Sequence, residues 1–364
     1  TVNLALHTAT GTNGALNFTD LTGGAALDDV LTGGAVDAVT LNPIDTIWRI
    51  TDVDSGEVEG VISFAGIENL QGADANRDEF IFEADGSLTG TLDGGAAGSD
   101  TLVVRKGTDL DYALVNVVSD SLATVTLYDR TINFKGIEPI VSGTAANKVI
   151  AGSSFTDKLV LDSVDASSLR ISTTDMSIFD VATSALITEI IFANPTTTLT
   201  FTLGRGNDQL TLGNLNAAFT ASLDFDGGAG DDSLQARDID NIWTIASLNA
   251  GTLNANGSFS NTEILLGGSL NDEFNFLNQA TVDAYIDGGV GGTNTLDYHL
   301  YASAVAIELN FANRNINHVI GSANADTIIG ASAVSNNIWT INGSDLGVIS
   351  SSATNTIELD SNTV

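Results

Sequence analysis

Short apolar runs recur along the chain about every nine to twelve residues. Examples are Ile264–Leu266, Phe274–Phe276, Tyr285–Ile286, Val319–Ile320 and Ile328–Ile329. Gly, Asn, Asp or Ser punctuates each run. Within many runs every second residue is apolar, as in Val305, Ile307, Leu309 and Phe311. Side chains on a strand alternate faces, so this period of two predicts strands with one buried face. The regular spacing predicts many short strands of similar length. A convincing apolar stripe at helical spacing is absent. Ser167–Ala193 is the best place for a short helix, although Ile187, Ile190, Ile191 and Phe192 also read as strand.

A larger period overlies the small one. The segment Ile47-Trp48-Arg49-Ile50 recurs as Ile242-Trp243-Thr244-Ile245 and as Ile338-Trp339-Thr340-Ile341. A Gly-containing, hairpin-like stretch follows each Trp, at 56–64, 251–259 and 347–353. Ile67-Glu68-Asn69-Leu70 is then matched by Thr262-Glu263-Ile264-Leu265, and Asp78-Glu79-Phe80 by Asp272-Glu273-Phe274. Features kept in order at one offset indicate duplication. They divide the chain into a repeat module at 1–105, a divergent module at 106–235 and further repeat at 236–364. Trp residues placed by the repeat are expected in the core. Two architectures fit this pattern. One is a tandem of β-sandwiches, which asks for polar linkers and long strands. The other is a continuous β-solenoid, which asks for short runs abutting tight turns. The runs of three to five residues beside Gly-rich turns favour the solenoid.

Composition narrows the function. Lys and Arg number 12 against 46 Asp and Glu, a net charge of -34. Such a surface repels nucleic-acid phosphates and anionic membranes. No apolar run is long enough to insert in a bilayer as a helix. With 43% hydrophobic residues the chain can still bury a core. Cysteine is absent and His numbers three, which removes thiolate sites and leaves little acid–base chemistry. Asp outnumbers Glu about threefold, and Gly, Asn, Thr and Ser abound, which suits turns and strands rather than helices.

The most specific local signal is Gly227-Gly228-Ala229-Gly230-Asp231-Asp232-Ser233-Leu234-Gln235. It fits the nonapeptide Gly-Gly-x-Gly-x-Asp-x-U-x, with U a large apolar residue, at every fixed position. Leu203-Gly204-Arg205-Gly206-Asn207-Asp208-Gln209-Leu210-Thr211 misses only the first Gly. Looser copies begin at Gly23, Gly152, Gly267 and Gly321. Those at Gly94 and Gly288 carry an inserted residue, and the latter has Asn294 where Asp is expected. Glycine permits positive φ, so the chain turns sharply and aims carbonyl oxygens inward. Asp supplies a carboxylate, and the apolar residue two places on enters the core. Ca²⁺ takes six to eight such oxygens. Asp208 and Asp232 stand 24 residues apart, as do Gly204 and Gly228, which suits consecutive turns on one edge. The same turns can also be held by hydrogen bonds alone. That reading is preferred for the looser copies, and a calcium site for the pair at 203–211 and 227–235. Its expected contributors are Gly204, Gly206, Asp208, Gly228, Gly230 and Asp232.

These turns resemble the haemolysin-type calcium-binding (RTX) repeats of secreted bacterial proteins. The longer module, including Thr293–Tyr298, Ile307–Leu309 and Trp339–Ile341, resembles repeats of giant bacterial surface and adhesin-like proteins. The resemblance implies an all-β fold, an elongated right-handed parallel β-solenoid or β-roll, in an exported, calcium-stabilised structural protein with no catalytic residue. A solenoid segment exposes strand edges at both ends, and Thr1–Leu4 and Ile357–Leu359 read as uncapped, so continuation in a longer chain or end-to-end self-association is expected, with a surface polysaccharide as the other class of partner. The alternatives are a polysaccharide lyase or epimerase on a β-helix and a carbohydrate-binding module. Tyr298, His299 and Tyr301 are the aromatic cluster either would use, but scarce Lys, Arg and His argue against an enzyme. Arg105-Lys106, the basic pair, is expected to blunt a strand edge.

Overall fold

A computed structural model describes residues 45–96, 100–107, 112–116, 122–137, 140–173, 177–180, 184–308 and 313–329, with shorter stretches before 45 and after 336. The described residues are all-β, without a helix, and most strand pairs are parallel. The segment considered for a helix forms strands Ser168–Thr173, Ala185–Ile187 and Glu189–Ala193. Its β-branched residues find strand partners there, so propensity and pairing agree.

The chain divides into two units, residues 1–142 with 173–189, and residues 143–172 with 190–364. In the second unit the chain alternates between two sheets. Asn147–Ala151, Thr198–Thr202, Ser222–Asp226 and Gly257–Ser260 stack in parallel in the first. Lys158–Ser163, Gln209–Leu212, Ser233–Gln235, Ile264–Leu266 and Tyr285–Asp287 stack in parallel in the second. Parallel register aligns equal positions, so like residues form columns. Phe201, Phe225 and Phe259 are one buried column, and Leu210, Leu234, Leu265 and Ile286 another. Leu210 and Leu234 are the apolar residues two places after Asp208 and Asp232. Burying each such side chain contributes about 1.5–3 kcal/mol.

The Trp segments make the same supersecondary unit in both halves. Thr46–Asp52, Ser55–Val58 and Ile62–Ala65 form a three-stranded antiparallel meander. Asn241–Ser247, Ala250–Leu253 and Gly257–Ser260 repeat it. The register shifts at the same place, between Ile50 and Asp52 and between Ile245 and Ser247. Asp54 and Asn249 both turn the hairpin with positive φ, 51° and 52°. Short polar side chains tolerate that conformation. The backbone of Asn337–Gly343, Leu346–Ser351 and Thr356–Asp360 follows the same plan. Trp48 and Trp243 are fully buried, each stacked on the Phe of the neighbouring parallel strand, Phe80 and Phe274. The side chain of Trp339 lies outside the described residues.

In the first unit Val30–Thr32, Asn69–Gln71, Thr91–Asp93 and Arg130–Lys135 form one parallel stack. Thr46–Asp52, Asp78–Phe82 and Thr101–Arg105 form another. The inner faces meet in one core that includes Leu70, Leu92, Phe134, Trp48, Phe80 and Leu102. Strands Asp78–Phe82 and Thr101–Arg105 are buried on both faces. Arg105 pairs with Glu83 at 3.0 Å, and the Lys106 ammonium lies 5.7 Å from the centre of the Tyr128 ring.

Candidate functional site

Because the strands of one sheet run the same way, connections leaving it lie on one edge and connections entering it on the other. In the second unit, turns 203–208 and 227–232 and the connection 261–263 leave the first sheet. Turns 267–271 and 288–294 enter it from the opposite edge. Each edge carries a ladder of side-chain oxygens. The Asp157 N–H donates to Asp208 Oδ1 at 2.7 Å, and the Asp208 N–H to Asp232 Oδ1 at 2.7 Å. The Asp232 N–H then donates to Glu263 Oε2 at 2.9 Å. On the other edge the Asp272 N–H donates to Asn294 Oδ1 at 3.1 Å, and the Asn294 N–H to Asn317 Oδ1 at 2.7 Å. In the first unit the Asp78 N–H donates to Asp100 Oδ1, and the Asp29 N–H to Glu68 Oε2. One side chain thus satisfies a backbone amide of the neighbouring turn.

Glu68 and Glu263 were not assigned a role by spacing. They stand at the end of the Trp meander, where a short connection replaces the six-residue turn. A longer side chain takes over the reach there. The recurrence of Glu at the same point of both modules was the available signal.

Gly204, Gly206, Gly228 and Gly230 all have positive φ, from 97° to 147°. Consecutive turns bond directly, the Ala229 N–H to the Gly204 carbonyl at 2.8 Å and the Gly206 N–H to the Ala229 carbonyl at 3.0 Å. A Cβ on Gly230 would overlap the Gly206 carbonyl oxygen. Gly230→Ala is therefore expected to destabilise the fold by about 1–3 kcal/mol, through backbone strain and lost stacking. A urea midpoint equal to wild type would contradict this stacking.

The second oxygen of each turn carboxylate finds one of three environments. In the first, the turn supplies donors. Asp157 Oδ2 accepts the Ser153 N–H at 2.6 Å, and its Oδ1 the Ser153 hydroxyl at 3.1 Å. Asp272 Oδ2 accepts the Gly268 N–H at 2.9 Å, and its Oδ1 the Asn241 amide at 2.7 Å. Asp78 and Asp326 are held likewise by Ala73 and Ser322. In the second, Asn replaces Asp. The Asn294 amide nitrogen donates to the carbonyls of Gly289 and Gly291, each at 3.2 Å, and of Asn315 at 2.9 Å. The Oδ2 atoms of Asp208 and Asp100 are buried in their turns as well, and a third environment is seen at Asp232. Its carboxylate is fully buried, and no donor among the described residues reaches Oδ2.

The turns of Asn294 and Asp232 are otherwise built alike. Asn315 and Asn261 both have positive φ, 53° and 47°. Their amides bond Asp287 Oδ1 at 2.6 Å and Asp226 Oδ1 at 2.8 Å, each at the foot of its turn. A Cβ on Gly227 would run into the Asn261 carbonyl oxygen and approach Asp232 Cγ to 2.7 Å. Turn 227–232 thus presents a carboxylate oxygen where turn 288–294 presents an amide N–H₂. Burial pushes the Asp232 carboxyl up to about 6. The Asp208 N–H bond opposes that shift, and the charges of Glu263, Asp226 and Asp231 add to it.

No protein-family model, no curated protein and no solved structure matches the chain. The expected contributors lie together on one edge, Gly204, Gly206 and Asp208 in one turn and Gly228, Gly230 and Asp232 in the next. The carboxylates of Asp208 and Asp232 do not converge, since each reaches back to the turn before it. Among the described residues no three His, Cys, Asp or Glu side chains are grouped to hold a metal. A cation here would draw mainly on backbone carbonyls around Asp232.

Tyr298 stacks on Phe276 at 4.5 Å and meets Tyr301 edge-on. Burial raises the Tyr298 phenol well above its ordinary range. His299 Nδ1 lies 2.7 Å from Asp297 Oδ1. The cluster is packed as part of the protein rather than laid out as a flat sugar platform.

Proposed function

We propose that this chain is a structural segment of a secreted or cell-surface repeat protein, such as a fibre, adhesin or surface layer, stabilised locally by Ca²⁺. In this reading the stacked parallel strands form a right-handed parallel β-solenoid, and turn 227–232 holds the ion. The observation that carries the reading is the Asp232 carboxylate oxygen, buried without a donor where Asn294 supplies an amide. A buried carboxylate needs a proton or a cation at that place. Extracellular calcium is the abundant choice at neutral pH. Asp232 supplies the carboxylate, and the carbonyls of Gly228, Gly230 and Asn261 are the neighbouring oxygens. The ion's role is to neutralise charge and tie rungs together.

Calorimetry tests this directly. Ca²⁺ at about 100 times its Kd is expected to add roughly 2.7 kcal/mol to the folded state, and EGTA to remove it. Asp232→Asn should abolish the response, because the amide takes the ion's place as Asn294 does. Asn294→Asp should create a response, and Asp157→Ala should leave it unchanged. Superimposable melting curves with and without EGTA would refute calcium binding and leave a purely hydrogen-bonded turn.

A further inference from the structure

The hairpin turn of the Trp meander is tied to its surroundings in the same way in both modules. The Asp54 N–H donates to the Ser87 carbonyl and the Asn249 N–H to the Thr281 carbonyl, each at 2.9 Å. The carbonyls of Asp54 and Asn249 accept the N–H of Ile67 and of Thr262, the residues just before Glu68 and Glu263. The side chains are anchored alike. Asp54 Oδ1 accepts the Thr89 N–H at 2.7 Å, and Asn249 Oδ1 the Asp283 N–H at 2.8 Å. Glu68 Oε2 accepts the Asp29 N–H at 3.0 Å, and Glu263 Oε2 the Asp232 N–H at 2.9 Å. Each side chain is thus fixed by one atom, and its second polar atom takes the same place in both modules.

In the second unit those second atoms are complementary. The Asn249 amide nitrogen donates to Glu263 Oε1 at 2.8 Å and to Asp283 Oδ2 at 3.2 Å. In the first unit two of the three partners are inverted. Asp54 has an oxygen, Oδ2, where Asn249 has its N–H₂. Thr89 has a hydroxyl, donating to that oxygen at 2.8 Å, where Asp283 has an acceptor. Glu68 is not inverted with them. Its Oε1 meets the oxygen of Asp54 instead of an amide, and among the described residues it accepts no hydrogen bond. Both residues are enclosed, Asp54 8% and Glu68 5% exposed. No Lys or Arg among the described residues pairs with either. Two enclosed carboxylates that face each other need a positive charge between them.

Spacing selects the ion. The donors are carboxylate oxygens, which suit hard divalent cations, and a double charge balances the pair. In the second unit the matching atoms stand 2.8 Å apart. Adjacent ligands of Mg²⁺ at about 2.1 Å stand about 3 Å apart, and those of Ca²⁺ at about 2.4 Å stand about 3.4 Å apart. The shorter spacing fits Mg²⁺. Mg²⁺ also keeps several waters when one or two carboxylates hold it, and Thr89, beside Asp54, is exposed to solvent. We infer that a Mg²⁺ ion bridges Asp54 Oδ2 and Glu68 Oε1 in the first unit and completes its shell with water. It ties the Trp hairpin to the connection bearing Glu68, as the Asn249 amide does in the second unit. The site is separate from turn 227–232 and does not rest on the calcium reading.

Titration calorimetry of the full chain with MgCl₂ in EGTA tests it, since EGTA removes Ca²⁺ and leaves Mg²⁺ largely free. Wild type should take up Mg²⁺, and millimolar Mg²⁺ should raise its melting temperature. Glu68→Gln should weaken uptake by about tenfold or more, because its amide donates to Asp54 and takes the ion's place. That variant changes the net charge of -34 by one, so a response due to screening of the whole surface would survive it. Asp54→Asn with Thr89→Asp copies the second unit and should lose uptake equally, which serves should Glu68→Gln fail to fold. Circular dichroism establishes that each variant is folded. Asn249→Asp with Asp283→Thr should create a second Mg²⁺ site. Asp232→Asn should keep the Mg²⁺ response in full, and its loss there would place the ion at turn 227–232 and overturn the inference. A wild type that takes up no Mg²⁺ overturns it as well, leaving a proton to hold the pair. So do Glu68 and Asp54 variants that respond like wild type. A Mg²⁺ response without a calcium response would count against the calcium reading alone.

Discussion

Trp243→Ala should cost the fold about 3–5 kcal/mol, the range for truncating a large aromatic residue in a packed core. The indole is fully buried. It stacks on Phe274 with ring centres 5.6 Å apart and meets Phe259 edge-on at 5.7 Å. The strand carrying it hydrogen-bonds on one side to its own hairpin and on the other to Asp272–Phe276. Those neighbours are fixed by backbone ladders and cannot collapse into the space. The duplicate module offers an internal comparison. The Trp48 indole N–H donates to the Thr46 hydroxyl at 3.1 Å, whereas that of Trp243 meets no acceptor among the described residues. Trp48→Phe should therefore cost about 1 kcal/mol more than Trp243→Phe, the worth of one hydrogen bond. Urea unfolding followed by circular dichroism measures both. A Trp243→Ala loss below about 1 kcal/mol would mean that the module is not held together at this ring.

Stability in EGTA should fall as pH rises from about 4 to about 7. Burial pushes the Asp272 carboxyl up to about 6, with the Asn241 amide and the Gly268 N–H working against that rise, and Asp238 and Asp240 adding to it. Asp78 shifts in the same direction, also chiefly by burial. A carboxyl with a raised folded pKa takes up its proton more readily in the folded state than in the unfolded one. Its contribution is complete below the unfolded value near 4 and is lost as pH rises through about 6. For Asp272 the difference is worth up to about 3 kcal/mol. Urea midpoints measured at half-unit steps of pH would show it. Asp272→Asn should flatten the profile, at the price of one turn hydrogen bond. A midpoint that climbs steadily from pH 4 to pH 7 would show that Asp272 ionises without cost, and that its turn is open to water.

Short strands, tight glycine turns and the duplicated Trp module were legible in the chain itself. The reason is local. Alternation at Leu210 and Thr211, or at Leu234 and Gln235, states which side faces the core. A Gly with an Asp four or five residues later states where the chain turns. Repetition then places Trp48 and Trp243 in equivalent surroundings, and both are buried. The region 167–193 was less legible, because its β-branched residues serve a strand or a short helix equally until a partner strand is supplied.

What the tertiary structure alone decided is which distant strands pair. Gln209–Leu212 lies between strands that are 51 residues before it and 24 residues after it. No local pattern states those distances. Ile81, Val103 and Leu114 alternate as outward residues, yet all are buried, because their sheet is covered on both faces. The Asp residues differ for the same reason. Asp157, Asp232 and Asp272 occupy similar turns, and although the glycine pattern sets the Asp232 turn apart from the looser two, it does not state what each carboxylate meets. Asp157 is satisfied by Ser153 in its own turn, Asp272 by Asn241 from 31 residues away, and Asp232 by neither. A turn's conformation is encoded within its own few residues, but the free energy of a buried charge depends on whatever the neighbouring strands and turns bring against it.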